Sequence, residues 1–350
     1  MVATMDDLIA TVEDGQELPA DRVGEAAAAL LDEAVEDDAK VRFLSGLAAK
    51  GETPAEIAAF VDAFLAHAVD PGLDPAEMDF PLVDVCGTGG DKLQLFNVST
   101  TSMFVVAAAG AGVVKHGNRG ITSKCGGADV LEELGIRIDL PPDRFAEAVR
   151  THGVGFMLAP QYHPAFKAVV PVRKILAGRG TRTIFNLVGP LLNPARPPFQ
   201  LVGTFEPSLT LVFAEILRTL GRTRAWAVCG RTGDGRAMDE LSVLGPTDVA
   251  ALDVAGSIGE RVIDPADLGI PEHSLEELQG GDAAQNAAIL TGILGGSITG
   301  AKREMVILNA GAALVVAGVA HDLGGGRALA EEAIESGAAL GKVRSLQHFS

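Results

Sequence analysis

The stretch PLVDVCGTGGDKLQLFNVST, at residues 81–100, constrains the fold of this chain more than any other. It begins with a short apolar run at residues 81–86, which predicts a buried β-strand. Gly87, Gly89 and Gly90 follow, and then an apolar, alanine-rich segment that predicts a helix. Glycines between a strand and a helix let backbone N–H groups approach an anion closely, and the helix dipole favours negative charge there. We therefore expect a phosphate site at this turn.

The same residues also fit a plainer interpretation, a tight turn between a strand and a helix without any ligand. Ser99 and Thr100 stand at the start of the predicted helix, where hydroxyl groups either cap the backbone or hold a metal-bound oxyanion. The pattern matches neither the dinucleotide-binding motif G-x-G-x-x-G nor the P-loop, which requires Gly-Lys-Ser/Thr. By itself, the turn indicates a phosphate group without identifying the ligand.

Helical patterns alone occupy residues 1 to about 70. Thr53 and Glu56 form a capping-box pattern around Pro54, directly after Gly51, which is expected to end the previous helix. The apolar stripe of the helix that follows fits either a core face or a face packed against a second copy of the chain. This part of the chain is therefore expected to be all-helical.

The pattern changes after a linker at residues 74–79, where short apolar strands begin to alternate with helices. The predicted strands are residues 83–86, 113–115, 155–158, 201–205, 225–229 and 249–254. The predicted helices are residues 100–110, 128–134, 143–152, 162–176, 208–220, 284–294, 302–318 and 325–340. Such alternation predicts an α/β fold with a mostly parallel sheet and helices on both of its faces.

The charge of the chain disfavours one class of function. There are 46 Asp and Glu residues against 28 Lys and Arg, which gives a net charge of −18. A polyanion would therefore be repelled everywhere except at a local basic patch. Aromatic residues make up only 5% of the chain, which leaves few stacking platforms for single strands. We expect no nucleic-acid partner.

The cysteines and the apolar runs indicate a reducing compartment. Cys86, Cys125 and Cys229 are far apart and form no C-x-x-C pair, so they predict neither a zinc site nor a disulfide framework. The acidic start of the chain lacks the basic segment and apolar core of a signal peptide. No apolar run reaches the ~18 residues that a membrane span needs. The expectation is a cytoplasmic protein without a membrane partner.

A basic cluster, KHGNR at residues 115–119, ends the second predicted strand and continues into a small-residue loop, GITSKCGG at 120–127. Ligands of parallel α/β sheets bind at the carboxyl ends of the strands. Two cations, an imidazole and an amide at that edge therefore suit a small anionic ligand. A solvated basic loop, with His116 hydrogen-bonded for structural reasons, explains the same residues.

Two further groups of residues are candidates for binding a substrate or a metal ion. Arg173 follows the segment YHPAFK at 162–167, and an arginine in a cleft can clamp a carboxylate with two parallel hydrogen bonds. MDELS at 238–242 places Asp239 beside Glu240, and magnesium prefers a few carboxylates together with substrate phosphates. The plainer alternatives are an exposed helix arginine and an acidic pair on the surface of an acidic chain.

In order and spacing, these motifs resemble those of the anthranilate phosphoribosyltransferase family, which uses phosphoribosyl pyrophosphate in tryptophan biosynthesis. The resemblance covers nearly the whole chain. It rests on GTGGD at 87–91, NVST at 97–100, KHGNR at 115–119, ADVLEELG at 128–135, YHPAFK at 162–167, PVR at 171–173, RTIFNLVGPLLNP at 182–194, MDELS at 238–242 and LNAGAAL at 308–314.

The resemblance implies a fold and an assembly. A small all-helical domain at residues 1–75, joined by a middle helical segment at about 162–190, is expected to be hinged to a larger α/β domain at 80–350 that binds the phosphoribosyl group. This is the nucleoside phosphorylase/phosphoribosyltransferase-like fold. The family also implies a homodimer formed through the helical domain. The reaction implied is transfer of the phosphoribosyl group to the amine of anthranilate, with release of pyrophosphate.

The resemblance also implies the site residues. The phosphoribosyl pyrophosphate site would comprise Gly87, Thr88, Gly89, Gly90, Asp91, Asn97, Ser99, Thr100, Lys115 and Gly127. The anthranilate pocket would comprise Gly87, His116, Asn118, His163 and Arg173. The implied cofactor is Mg²⁺, held by Ser99, Asp239 and Glu240. No catalytic nucleophile is required, because positioning and electrostatics supply most of the rate.

The chain departs from the family pattern in three ways. Cys125 and Gly127 replace hydroxyl residues, so a phosphate contact there would come from the backbone alone. The loop after Arg173 is longer than usual, through residues 178–180, and Thr101 replaces an alanine.

Two other functions remain open from the sequence. A pyrimidine nucleoside phosphorylase of the same fold would share the glycine turn but would need phosphate and nucleobase contacts in place of the anthranilate residues. A non-catalytic, nucleic-acid-binding relative would need a basic surface, whereas this chain is strongly acidic. The presence of His116, Asn118 and Arg173 favours the transferase.

Overall fold

An eight-stranded β-sheet is the centre of the structure, a computed structural model that describes residues 4–120 and 124–349. Its strands are β1 (Leu82–Gly87), β2 (Gly112–Gly117), β3 (Val154–Leu158), β4 (Phe199–Gly203), β5 (Arg224–Arg231), β6 (Ala237–Met238), β7 (Thr247–Leu252) and β8 (Ile258–Ile263). The order is β3-β2-β1-β4-β5-β7-β8, with β6 paired to β5. Strands β1 to β5 run parallel, and β6, β7 and β8 pair antiparallel. The predicted mostly parallel sheet is confirmed.

The antiparallel edge of the sheet was predicted only in part. The predicted strand at 249–254 corresponds to β7, but β6 and β8 were not predicted. The side chains of β8 are largely exposed, and Val262 is 62% exposed. An edge strand of this kind lacks the continuous apolar run that marks the buried parallel strands.

Four helices precede the sheet: α1 (Met5–Glu13), α2 (Ala20–Leu31), α3 (Asp37–Lys50) and α4 (Pro54–Leu65). Gly51 ends α3 with a φ of +85°, in the left-handed region that glycine adopts readily. The capping box of α4 is formed as predicted. The Thr53 side chain accepts a hydrogen bond from the Glu56 N–H, and the Glu56 carboxylate accepts one from the Thr53 N–H.

Ten helices follow in the remainder of the described chain. They are α5 (Val98–Ala108), α6 (Gly127–Glu133), α7 (Pro142–His152), α8 (Ala159–Tyr162), α9 (Val170–Gly178), α10 (Leu209–Thr219), α11 (Ala283–Leu294), α12 (Ala301–Val316), α13 (Leu323–Glu335) and α14 (Ala338–Gln347).

Two predicted helices are broken in the structure. The helix predicted at 162–176 is divided into α8, a 3-10 segment at Pro164–Val169, and α9, because Pro164 and Pro171 lack the N–H that a continuous helix needs. The helix predicted at 325–340 is divided into α13 and α14 by Gly337, whose φ is +74°.

The two faces of the sheet are covered by different sets of helices. Val83 and Val85 of β1 belong to one buried apolar cluster with α5, α12, α13 and α14. Cys86 of β1 and Val202 of β4 face a second cluster, which contains α10, the four N-terminal helices and the segment around α9. Within the described residues, no helix has both the length and the apolar character required to cross a bilayer.

Candidate active site

Two segments meet at the carboxyl ends of β1 and β4: the glycine turn after β1 and the acidic pair after β6. Gly89 and Gly90 adopt φ values of +69° and +90°, which side chains other than glycine rarely allow. A Cβ atom on Gly87 would overlap the Asp239 carboxylate, and one on Gly203 would overlap the Asp239 backbone. The absence of side chains at these two positions is therefore what lets the acidic pair lie across the strand ends.

Backbone and hydroxyl groups of the β1–α5 connection hold both acidic side chains. The Gly89 N–H donates to the Asp239 Oδ2 at 2.6 Å, and the Ser99 Oγ donates to the Glu240 Oε1 at 2.6 Å. The helix cap is Asn97, and α5 begins at Val98, so Ser99 is directed to Glu240 instead of capping the helix.

The acidic pair is electrostatically strained. Burial, together with the neighbouring charges of Asp91 and Glu240, holds the pKa of Asp239 well above its usual range. Burial likewise raises the pKa of Glu240 to about 7, despite the hydrogen bond from Ser99. A cation bound between these carboxylates would relieve the cost of keeping both ionised.

The donor set at this point fits a hard divalent cation. Asp239, Glu240 and Ser99 offer only oxygen atoms, which magnesium prefers. Among the described residues, no group of three or more His, Cys, Asp or Glu side chains is arranged to hold a metal ion by itself. A site of two carboxylates and a hydroxyl leaves coordination positions that the oxygen atoms of a phosphate can fill.

Lys115, on β2, and Gly127, at the start of α6, lie beside β1 and the start of α5. Lys115 is buried, and its Nζ donates to the Val85 carbonyl at 2.6 Å, which places its charge beside β1. A Cβ atom on Gly127 would lie 2.8 Å from the Thr100 Oγ1 and 3.8 Å from the Lys115 Cε. Gly127, Thr100 and Lys115 therefore lie together.

Two more predicted residues are held by hydrogen bonds from neighbouring elements. The Thr88 Oγ1 accepts from the Phe205 N–H at 3.0 Å. The Asn97 Nδ2 donates to the Cys125 carbonyl at 3.4 Å, and its Oδ1 accepts from the Asn286 Nδ2 at 2.8 Å. Asn97 thus connects the glycine turn to the loop that precedes α6.

A pair of histidines, at the end of β2 and after α8, belongs to a second region of the candidate site. The ring centroids of His116 and His163 are 5.1 Å apart in an edge-to-face arrangement. Burial, with His163 and Lys115 nearby, lowers the pKa of His116 to about 3, and burial also lowers the pKa of His163. The His163 Nε2 is hydrogen-bonded to the Leu192 carbonyl at 2.8 Å. Both rings are therefore neutral at pH 7, and the pair presents an uncharged polar surface.

Arg173 is connected to the histidines through a series of aromatic rings, without direct contact. Its guanidinium lies 5.7 Å from the ring centroid of Phe185. The Phe185 and Phe166 centroids are 5.9 Å apart, and Phe166 is 5.3 Å from His163. Arg173 is exposed and has no acidic partner among the residues the structure describes. The arrangement is a wall of aromatic rings packed edge to face, with an available cation at one end and neutral imidazoles at the other.

Comparison with known proteins shows the family of the chain. Residues 79–340 match the family described as "Glycosyl transferase family, a/b domain", and residues 6–68 match "Glycosyl transferase family, helical bundle domain". An anthranilate phosphoribosyltransferase of Natronomonas pharaonis is 44% identical to this chain over 99% of both proteins. One of Desulfatibacillum aliphaticivorans is 43% identical over 98% of both.

The chain belongs to the anthranilate phosphoribosyltransferase family. The family predicted from the sequence motifs is thereby confirmed.

Solved structures of family members have the same fold. The crystal structure of the Thermus thermophilus enzyme is 37% identical, with a TM-score of 0.88, and the match covers 98% of this chain and 99% of that one. The Saccharomyces cerevisiae enzyme "in complex with PRPP and Mg" is 24% identical, with a TM-score of 0.79 over 98% of this chain and 92% of that one. The predicted combination of a helical domain with a larger α/β domain is confirmed.

The departures from the family pattern lie at separate places. Cys125 is buried, and its carbonyl accepts from Asn97. The lengthened segment at residues 178–180 is exposed at the end of α9, and Gly180 adopts a φ of +70°. The Thr101 Oγ1 donates to the Asn97 carbonyl at 2.9 Å inside α5. Residues 121–123 of the loop after β2 lie outside the described residues.

Four residues with a part in this site were not among the sequence candidates: Gly203, Asn286, Asn309 and Phe185. Gly203 makes room for Asp239, Asn286 orients Asn97, and Phe185 lies against Arg173. The signals for Gly203 and Asn286 were weak, since each lies far in the chain from its partner, and Phe185 is one apolar residue within the motif RTIFNLVGPLLNP. For Asn309, the signal was a lone amide within the apolar motif LNAGAAL.

Proposed function

We propose that this chain transfers the phosphoribosyl group of phosphoribosyl pyrophosphate to the amine of anthranilate, a step of tryptophan biosynthesis. The products are N-(5-phosphoribosyl)anthranilate and pyrophosphate. The observation that carries the proposal is the meeting of the glycine turn with Asp239 and Glu240 in a chain of this family. The relatives at 43–44% identity over nearly their full length carry that enzyme's name.

The donor substrate is assigned to the glycine turn and its surroundings. Eight of the ten residues predicted from the motifs lie in the turn or at the start of α5. Of the other two, Gly127 lies against Thr100, and Lys115 donates to Val85 of β1. The helix dipole of α5 and the buried Lys115 ammonium provide positive potential for the phosphate groups. These groups bind and orient the diphosphate so that the bond to the anomeric carbon faces the acceptor.

Mg²⁺ is proposed as the cofactor, held by Ser99, Asp239 and Glu240. When bound, it neutralises charge that develops on the departing pyrophosphate. The support from this chain is the oxygen-only donor set and the raised pKa values of both carboxyl groups. A yeast protein of the same fold has been described with PRPP and Mg.

Anthranilate is assigned to the wall between Arg173 and the two histidines. The flat ring stacks on apolar and aromatic side chains, while the Arg173 guanidinium offers two parallel donors to its carboxylate. Asn118 lies on the loop beside His116, although its Oδ1 accepts from the Arg119 N–H in this structure. The amine of anthranilate is weakly basic and needs orientation more than a strong base, which neutral imidazoles can provide.

The assembly is proposed to be a homodimer through the helical domain, in the cytoplasm. We assign residues 1–75 and about 162–190 to that domain and 80–350 to the phosphoribosyl-binding domain. The packing of Phe64 against Phe166 and Phe185, at 5.1 and 5.7 Å between ring centroids, supports joining the middle segment to the N-terminal helices.

The test is a steady-state assay of the purified chain with phosphoribosyl pyrophosphate, Mg²⁺ and a panel of aminobenzoates. We expect anthranilate to be the preferred acceptor. Glu240→Gln should retain the fold but lose activity by orders of magnitude, because it removes a charge from the proposed metal site. Glu260→Gln, on the exposed strand β8, is the matched control and should be fully active.

Two results would overturn the assignment. Phosphorolysis of pyrimidine nucleosides without transfer to anthranilate would favour the phosphorylase. Absence of both activities, with tight binding of a nucleic acid, would favour the non-catalytic relative.

A further inference from the structure

Asn309 is a buried amide in the middle of α12, and all of its hydrogen bonds go to the protein backbone. It is 2% exposed and is surrounded by apolar residues of the same helix. Its Oδ1 accepts from the Leu241 N–H at 2.9 Å. Its Nδ2 donates to the carbonyl groups of Leu241 and Met305, each at 2.9 Å. The side chain thus binds both backbone groups of Leu241, as a neighbouring β-strand would.

Leu241 is the residue directly after the acidic pair, and no strand supplies those bonds. Strand β6 ends at Met238, and β7 begins only at Thr247. Leu241 is fully buried, so its backbone groups have no access to water. A buried backbone group without a hydrogen-bond partner destabilises the fold, because it has lost its bonds to water. Asn309 therefore supplies the hydrogen bonds that a neighbouring strand would supply, just after the chain has left β6 and passed Asp239 and Glu240.

The peptide group between Glu240 and Leu241 is fixed at both of its ends. Its carbonyl, from Glu240, accepts from the Gly230 N–H on β5 at 3.1 Å. Its N–H, from Leu241, donates to Asn309 on α12. A Cβ atom on Gly230 would overlap the Glu240 carbonyl, so this close approach also depends on a glycine. With the peptide held from the sheet and from the helix, the direction of the Glu240 side chain is determined.

Asn309 is also close to the metal-binding side chains. It lines the same small cavity as Ser99 and Glu240. A shift of the Leu241 backbone toward that cavity would move the Glu240 carboxylate away from Ser99, to which it is joined by a 2.6 Å hydrogen bond. Such a displacement would weaken metal binding, since a metal site tolerates little deviation in the geometry of its ligands.

We propose that Asn309 is a positioning residue for the acidic pair, which sets the affinity of the site for a divalent cation with pyrophosphate. The proposal rests on the proposed function only in taking Asp239 and Glu240 as the metal ligands. It does not depend on which acceptor the enzyme uses.

The experiment measures binding of Mn²⁺ to the full chain in the presence of pyrophosphate, by electron paramagnetic resonance or calorimetry. Asn309→Leu keeps the branching of the side chain but removes all three hydrogen bonds, and we expect binding to weaken at least tenfold. Asn309→Ser keeps a polar side chain in α12 but is too short to bind both Leu241 backbone groups, so binding should again weaken. It also decides the question if Asn309→Leu does not fold.

The control for a merely structural role is Leu308→Ala, a buried neighbour on the same helix. It creates a cavity and lowers the melting temperature, but it leaves the Leu241 bonds in place. We expect Leu308→Ala to bind Mn²⁺ with pyrophosphate as the wild type does. In kinetics, the Asn309 variants should require more Mg²⁺ and show an unchanged KM for anthranilate.

The outcomes separate this proposal from the proposed function. Wild-type affinity for Mn²⁺ with pyrophosphate in the Asn309→Ser variant would overturn the positioning role, even if transfer to anthranilate is demonstrated. Equal weakening by Leu308→Ala would overturn it too, because stability alone would then explain the effect. A wild type inactive with anthranilate, but with cation binding that depends on Asn309, would overturn only the proposed function.

Discussion

At the scale of single residues, the histidine pair and Arg173 have opposite electrostatic characters. Burial keeps His116 neutral, and its Nε2 has no hydrogen-bond partner among the described protein groups. Arg173 is charged, exposed and without an acidic partner in the described part of the chain. A small aromatic acid placed between them would meet a cation at its carboxylate and an uncharged polar ring at its amine. Each side of this pocket can be tested by itself.

Arg173→Ala should raise the KM for anthranilate greatly and change the KM for phosphoribosyl pyrophosphate much less. The reason is that bound anthranilate would cover the guanidinium, and removing one side of a desolvated charge-assisted pair costs on the order of 2–5 kcal/mol. Arg179→Ala, at the exposed end of α9, is the control and should leave both constants unchanged. Steady-state kinetics with each substrate varied separately would measure this, and equal losses for both substrates would contradict the clamp.

His116→Asn should reduce the loss of stability at acid pH. The pKa of His116 is about 3 in the folded chain against an ordinary value of 6.5, so the unfolded chain binds a proton that the folded chain does not. Stability from this group is therefore present above pH 6.5 and is lost as the pH falls toward 3. Urea unfolding at about pH 7.5 and about pH 5 would compare wild type, His116→Asn and the non-titrating control Asn118→Ala. An equal pH dependence for all three would refute the buried neutral state of His116.

At the scale of elements, close contacts between strand ends and the acidic segment shape the site. Gly87 on β1, Gly203 on β4 and Gly230 on β5 each face the backbone or carboxylates of Asp239 and Glu240. None of the three has a positive φ, so it is the approach of another segment, and not the backbone conformation, that requires glycine. The ends of three neighbouring strands therefore carry no side chain where the segment with Asp239 and Glu240 packs against them.

Gly203→Ala should therefore be severely destabilising or displace the acidic segment. A Cβ atom there would overlap the Asp239 backbone, which has no flexible end that can move aside. Gly178→Ala is the matched control, because a Cβ on Gly178 meets open space at the end of α9, and it should be neutral or slightly stabilising. Thermal unfolding and Mg²⁺-dependent activity would be measured for both. A stable and fully active Gly203→Ala enzyme would show that the acidic segment lies elsewhere.

At the scale of the whole molecule, four of the five large apolar side chains that are exposed among the described residues fall into two regions, and the fifth, Leu211, lies on α10. Val170 and Ile175 are 47% and 36% exposed on α9, beside the N-terminal helices, whereas Val254 and Val262 are exposed at the antiparallel edge of the sheet. Helix α9 packs against α3, so its exposed side continues the surface of the helical domain. This is the surface on which the proposed homodimer would form.

The double variant Val170→Glu/Ile175→Glu should weaken the dimer. We expect sedimentation velocity to give twice the 36.1 kDa chain mass for the wild type and a concentration-dependent shift toward the monomer for the variant. Burying two carboxylates in an apolar interface of an already acidic chain is strongly unfavourable. Val262→Glu, on β8, adds the same kind of charge at the other region and should leave the mass unchanged. A wild type that sediments as a monomer would contradict the proposed assembly.

The sequence by itself determined the family, the mostly parallel sheet and the segments that carry the chemistry, because each depends on local patterns. An apolar strand followed by glycines, or a capping box at Thr53, is complete within a few neighbouring residues. Only the tertiary structure decided which distant residues hold the site together. The bonds from Asn309 to Leu241 and from Asn286 to Asn97 join positions 68 and 189 residues apart. Such contacts depend on how the helices pack on the sheet, and no local pattern records that geometry.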